Sequence, residues 1–445
     1  MTQNSPNTAA ASGSAGQLPQ EGAIARFLKA TELDTRLLGM LGALALIWIG
    51  FHFYGHFVND FGAFLTPRNL WNLSVQTASI GIMATGMVLV IVTRHIDLSV
   101  GSVLGFCAIM MGIMQVNILP QFLGLGHPMI WVITVLFGML VGTIVGAFHG
   151  YLIAYLGIPA FIVTLGGLLV WRGAAFLVAR GETISPVDPT FALLGGGPYG
   201  SIGFAGSWIV GVLGCIGVIA LIIYGRRQRH KFQFPLRPKW AEGFLAVVGC
   251  GAVIGAVLLV NSYPWPKGIV KRYAKAEGIE VPDGGLFISH GFAIPVLILI
   301  TVAILMTVLM SRTRFGRYVY AIGGNPEAAD LAGINTRWIT VKIFALMGFL
   351  AGLSSVVASA RLNSATNSLG TLDELYVIAA AVIGGTSLSG GVGTIYGAIL
   401  GALVMQSLQT GMVLIGFDAA IQQIVVGSVL VLAVYLDILY RRNAK

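Results

Sequence analysis

Few side chains in this sequence are equipped for chemistry, and they fall into four groups. The first is Asp97, set with Arg94 and His95 among apolar runs. A carboxylate there can carry a coupling ion, or it can form a structural ion pair with Arg94. The second group is amides and hydroxyls inside apolar runs: Asn72 and Gln76 (i, i+4), Gln406 and Gln409 (i, i+3), Thr164, Asn363, Asn367 and Gln422. Polar groups are costly in that setting unless paired, so each either lines a path for a hydroxylated, uncharged solute or ties helices together.

The third group is the string from Tyr320 to Asn335. Gly323 and Gly324 read as a flexible turn, Asn325 as an N-cap and Pro326 as the first helical residue. Glu327 suits the positive end of a helix dipole. Ala328, Ala329, Leu331 and Ala332, with Asp330 among them, give a small flat face. Gly333 closes the helix before Ile334. The expected element is a helix of about two turns, roughly 10 Å long. It is either a docking element for another protein or an ordinary surface helix. The fourth group is the glycine-rich string that holds Gly384, Gly385, Thr386, Ser387, Gly390 and Gly391.

Other chemistries lack their residues. Cys107, Cys215 and Cys250 lie in apolar runs, without CxxC spacing or a histidine in register. They read as small buried hydrophobes, with no metal site expected. None of the eight lysines follows a glycine, so a phosphate-cradling Walker A loop is absent. The seven histidines are scattered, with no nucleophile–base pair. No catalysis and no cofactor are expected.

The elements that must position these groups are membrane spans. Of 445 residues, 56% are hydrophobic and 10% charged, against roughly 25% charged in a soluble domain. Too little polar surface is available for a soluble protein of this size. Apolar stretches recur at about 37–57, 73–93, 96–118, 129–155, 158–179, 207–224, 241–260, 290–310, 339–360, 376–390, 393–413 and 419–440. A span needs about 20 apolar residues; 96–118, 158–179 and 376–390 are shorter or broken by glycine. The reading is an all-α polytopic transmembrane bundle of about 10–12 spans. Period-two alternation, the mark of a membrane β-barrel, is absent.

The net charge of +9 comes from 26 basic and 17 acidic residues. The bases concentrate near the N-terminus (Arg26, Lys29, Arg36), in 225–240, in 312–338 and at the C-terminus. By the positive-inside rule these four segments are cytoplasmic, both termini included, and no nucleic-acid partner is implied. Residues 1–30 read as a disordered cytoplasmic tail and 31–440 as the membrane domain. The 225–240 stretch is then a basic cytoplasmic loop, 261–289 a periplasmic segment of mixed charge and 312–338 a cytoplasmic loop. Two internal echoes suggest a weak repeat: 96–106 with 386–398, and 157–170 with 416–429. The crossing count gives the second pair opposite orientations.

Three strings occur in a recognisable order. HIDLSVGS at 95–102 contains Asp97, Leu98, Ser99 and Gly101; GGNPEAADLAGIN spans 323–335; GGTSLSGGVGTIYGAILGAL spans 384–403. Together they resemble the permease subunits of carbohydrate ABC importers of the ribose/xylose type, over roughly residues 70–440. His95 replaces a glycine usual in the first signature. The additional basic loop and span at 225–260 resemble the xylose type. The resemblance implies a helical permease of the bacterial inner membrane that works as a dimer with a second copy of itself. It also implies two cytoplasmic ATP-binding subunits docked on 323–334 and a periplasmic sugar-binding protein on the outer face. Asn72, Gln76, Asn363, Gln406 and Gln409 are then the candidate substrate pathway. A stand-alone ion-coupled sugar carrier built on Asp97 is the alternative.

Overall fold

The computed structural model describes residues 23–32, 34–59, 61–282 and 285–443. Within them the chain forms eighteen α-helices and no β-ladder beyond isolated bridges. In chain order they are α1 (Ala23–Thr31), α2 (Thr35–Asn59), α3 (Pro67–Val92), α4 (Val100–Ile113), α5 (Leu119–Leu123), α6 (Ile130–Ala154), α7 (Ala160–Ala179), α8 (Pro189–Ala192) and α9 (Gly203–Lys231). There follow α10 (Lys239–Asn261), α11 (Lys267–Glu277), α12 (Ile294–Arg312), α13 (Arg314–Gly324), α14 (Pro326–Leu331), α15 (Thr336–Leu362), α16 (Asp373–Ile383), α17 (Ile395–Leu414) and α18 (Ala419–Asn443). Ten helical stretches among the described residues are long and apolar enough to cross a membrane. They correspond to ten of the twelve apolar stretches in the sequence.

Two stretches are the exceptions. The 376–390 stretch is helical only as far as Ile383, where Gly384 and Gly385 break it. An eleven-residue helix rises about 16 Å, half a bilayer core. The last stretch lies in the 25-residue helix α18, whose side chains are described only in part beyond Leu432. Of the expected tail, residues 23–31 form the short helix α1, and 1–22 lie outside the described residues. The side chains of Arg441, Arg442 and Lys445 lie outside them too.

Packing separates a centre from a periphery. In its most apolar window α3 is 89% buried and α15 78%, against 11% for α9 and α10. So α3 and α15 are the core, and α9–α10 is a hairpin with apolar sides left for lipid. Contacts also define the two ends. Arg312 sits over the Tyr224 ring at 5.4 Å, and Phe27 stacks near Trp240 and Phe244. These join the start of α10 and the ends of α9 and α12 at the end of the bundle that carries α14. There Glu32 accepts from Arg229 and Arg237, which hold its carboxyl down at about 2. A lowered carboxylate keeps its pairing above its unfolded pKa, so this clamp is complete at every physiological pH. At the opposite, far end lie the starts of α3 and α9, the segment 261–293 and the end of α15.

Both motifs of the first echo begin spans at the α14 end, where Ser99 and Thr394 occupy the N-cap positions of α4 and α17. The helices of the second echo run in opposite directions. Gly157 and Gly416 both stop a helix in the left-handed region, but α7 then leaves the α14 end while α18 leaves the far end.

The tightest helix pair is α6 with α15. Gly138, Gly142, Gly146 and Gly150 recur every fourth residue along one face of α6. A Cβ on Gly142 would land on the carbonyl of Gly348, and one on Gly146 on that of Phe344. Backbones can therefore touch, which replaces the hydrophobic drive that lipid removes. Gly142→Leu is expected to destabilise the bundle by about 1–3 kcal/mol or more through overpacking. Gly166→Leu, placed where a Cβ meets nothing within 4 Å, is expected to be neutral. Thermal unfolding in detergent distinguishes the two.

Candidate functional site: a polar cavity and a three-motif junction

At the α14 end the three signature strings meet. Arg94 follows the end of α3, and its guanidinium donates to the carbonyls of Gly323 (2.9 Å) and Gly324 (2.6 Å), the last residues of α13. Those carbonyls have no intrahelical partner, and a cation there also complements the helix dipole. The Gly391 N–H donates to the carbonyl of Val92 (2.9 Å), and the Tyr320 hydroxyl to that of Gly393 (2.7 Å).

Two sequence expectations change here. Gly323 and Gly324 are not a flexible turn but the last residues of α13, an amphipathic helix whose presence the string did not reveal. A Cβ on Gly323 would strike the Val92 carbonyl and the Gly391 nitrogen (2.6 Å for the latter), so the glycine serves close approach. Second, Arg94 does not pair with Asp97, because α13 takes its guanidinium.

Asp97 is buried beside the start of α4. Its Oδ1 accepts from the Ser99 N–H (2.9 Å) and hydroxyl (2.6 Å). The Ser99 oxygen lies 3.3 Å from His149 Nδ1, and Trp171 Nε1 donates to His149 Nε2 (2.9 Å). Since Nε2 accepts, a neutral ring carries its proton on Nδ1 and donates to Ser99. The chain of bonds thus runs one way, from Trp171 to Asp97, across α7, α6 and α4. No sequence spacing signalled His149 or Trp171. Leu98 packs half-buried against the main core. Gly101 lies so close to the Gly370 carbonyl and the Glu374 carboxyl that a Cβ has no room.

The glycine-rich string divides similarly. Gly385, Gly390 and Gly391 have positive φ of 86, 86 and 76°, which makes them the turn residues. Gly384 instead lets α16 and α17 cross, since a Cβ there would strike the Gly397 backbone. Thr386 and Ser387 are buried beneath that turn, where the Ser387 N–H donates to Val392.

The short helix α14 is as its residues require. Asn325 Oδ1 accepts from Ala328 N (3.1 Å), Pro326 opens the helix, and Gly333 follows it at φ 81°. Ala329 turns inward, while Leu331 is 90% exposed, with Glu327, Ala328, Asp330 and Ala332 around it. Ile334 packs half-buried on the core.

Between α3, α15, α17 and the start of α16 lies a cavity of about 560 Å³. Asn72, Gln76, Gln406 and Gln409 all line it. Gln406 donates to Gln76 Oε1 (3.0 Å), and Thr410 is near both. The other candidates lie elsewhere. Asn363 accepts from Val187 N (3.3 Å) beside a separate cavity of about 630 Å³. Thr164 bonds back to Ala160 and to Ile96, Asn367 reaches Glu182, and Gln422 caps Phe417. These are ties between segments.

The cavity also holds charge, against the expectation of an uncharged path. Arg361 and Asp373 line it with Ser368 and Thr371. Arg361 sits in the last turn of α15 and Asp373 begins α16; Ser368 and Thr371 come from the connecting residues 363–372, which run back beside α4. Arg172 donates to the carbonyls of Asn367 (3.0 Å) and Leu369 (2.8 Å), and Ala365 exchanges two bonds with Ile184. Irregular backbone at this depth is tolerated only where protein satisfies it or a cavity borders it. Asp373 and Glu374 occupy the first turn of α16, at its positive dipole end.

A helical bundle with a broken span, a polar cavity at the break and an exposed short helix tied to the core defines a multi-pass membrane transport subunit. The family model for the branched-chain amino acid transport system permease component matches residues 69–434, and the chain belongs to that family. It is 36% identical to the xylose transport system permease protein XylH of Haemophilus influenzae, over 92% of this chain and 97% of that one. It is 32% identical to the ribose import permease protein RbsC of Escherichia coli, over 84% and 87%. With the L-arabinose ABC transporter permease protein AraH of Azospirillum brasilense the identity is 28%, over 86% and 83%. No solved structure matches the chain. The protein is thus a multi-pass inner-membrane permease component.

The junction makes a local prediction. Arg94→Ala is expected to raise hydrogen exchange at 320–334 and 388–393 by about tenfold, the loss of roughly one charge-assisted hydrogen bond. Circular dichroism of the helices should stay unchanged.

Proposed function

We propose that this chain is the permease subunit of an ATP-driven ABC importer that moves a monosaccharide, a pentose such as D-xylose, into the bacterial cytoplasm. The α14 end is the cytoplasmic face and both termini lie there, as the basic residues clustered at that end require. The subunit works as a pair of copies. Two ATP-binding subunits dock on α14, and a periplasmic sugar-binding protein meets the far end. The observation that carries this reading is the junction at Arg94. It ties the exposed helix α14, through α13, to α3 and the glycine turn, and these two lead into the helices that wall the polar cavity.

The coupling follows from those contacts. Movement of α14 by an ATP-binding subunit displaces α13, and the Arg94 bonds and the Gly391–Val92 bond pass it to α3 and to the turn before α17. Gln76 and Gln406 ride on those two helices, so their separation changes the cavity. Amides, hydroxyls and the Arg361 and Asp373 groups offer a sugar donors and acceptors without a deep apolar trap. A stand-alone ion-coupled carrier loses its motive, because Asp97 is occupied by Ser99.

Reconstitution tests the reading. Sugar uptake into vesicles should require the ATP-binding subunits, ATP and the binding protein; uptake by this chain alone on an ion gradient overturns it. Ala329→Pro removes an N–H that bonds to Asn325 (3.0 Å) and costs a helix about 3 kcal/mol. It should abolish sugar-stimulated ATP hydrolysis while leaving membrane insertion intact; replacing Glu327 should have the same effect. Gln406→Leu should lower uptake about tenfold by leaving Gln76 unpaired, with sugar-stimulated ATPase as the companion measurement.

A further inference from the structure

The far end carries a feature that the transport path does not use. Helix α11 contributes little to the bundle, yet it is firmly mounted. Val270 and Ala274 are buried beneath it. Tyr273 meets Trp265 edge-on at 5.6 Å, and Trp265 meets Tyr199 at 5.1 Å. The Trp265 backbone N–H donates to the carbonyl of Ile288 (2.7 Å). The mounting continues inward: Tyr263 stacks on His290 at 4.3 Å, and His290 lies 4.8 Å from Trp71. Trp71 borders a small cavity of about 230 Å³ that shares Asn72, Gln76 and Arg361 with the larger one.

On this mounted helix Lys267, Lys271 and Lys275 recur every fourth residue and are all exposed, with Arg272 exposed beside them. Two costs attach to that stripe. Like charges at i, i+4 spacing destabilise a helix. On the importer reading this end faces outward, so basic residues within reach of the end of α10 and the start of α12 also oppose the charge bias that orients the chain. A negatively charged partner on that face removes both costs. A membrane surface suits the stripe less well than a protein, because exposed Glu277 and Glu280 continue the same segment and anionic headgroups repel them.

We propose that the Lys267–Lys271–Lys275 face of α11 is the docking surface for an acidic patch on the periplasmic sugar-binding protein. This rests on the importer reading above. Charges arranged this way steer encounter and set register more than they add contact area. The mount through Trp265, His290 and Trp71 then places the docked protein's outlet over the mouth of the polar cavity.

The test uses the whole transporter in nanodiscs, with ATP hydrolysis followed against binding-protein concentration. A variant with Lys267→Glu, Lys271→Glu and Lys275→Glu should raise the half-saturating concentration about tenfold. The salt dependence of that concentration should flatten, and ATPase without binding protein should be unchanged. The Lys→Gln triple variant should lie between wild type and the reversal. An unchanged half-saturating concentration in both variants overturns the proposal. So does a shift seen only in nanodiscs containing anionic lipid, which would assign the stripe to the membrane. Failure of the importer reading looks different: the wild-type complex itself would show no stimulation by the binding protein.

Discussion

Hydrocarbon offers no hydrogen bonds, and most of this molecule follows from that constraint. Inside a bilayer a peptide group must find its partner in the protein, so the chain is helix wherever lipid touches it. One departure is 363–372, and it is satisfied by named groups: Arg172 on two carbonyls, Ile184 on Ala365, and the cavity itself. The polar cavity is therefore a consequence of the break. Where backbone is released from a helix, side chains such as Ser368 and Thr371 reach the polar cavity.

The same constraint explains the glycines. Apolar side chains gain nothing by leaving lipid for one another, so helices associate by approaching until their backbones touch. The α6–α15 seam does this with a glycine every fourth residue. The junction uses it differently. Gly323 lets the end of α13 lie against Val92, and Gly390 turns the next loop past Arg94 at positive φ. Close backbone contact transmits displacement with little slack, and that property is what a coupling element needs.

The charges obey a second rule at the two ends. At the α14 end Glu32 pairs with Arg229 and Arg237, and Arg94 caps α13. In the cavity Arg361 and Asp373 border the same polar space. The α11 stripe stands exposed on the surface at the far end.

Much was legible in the sequence because bilayer physics writes itself into composition. Long apolar runs show spans, clustered bases mark one end, and Asn325, Pro326 and Gly333 specify a short helix by local chemistry alone. Gln76 and Gln406 were legible as costly polar residues, but not as partners, since 329 residues lie between them and no spacing rule joins them. Arg94 was misread for the same reason. Sequence proximity favoured Asp97, whereas the carbonyls left bare at the end of α13 were the better acceptors. Sequence alone thus determined which segments are apolar enough to span and where the capped helix α14 starts and stops, because those are local free energies. Only the tertiary structure decided which helix pairs touch, where the broken span opens a cavity and which groups the buried charges serve. Those depend on contacts between segments that approach one another only after folding.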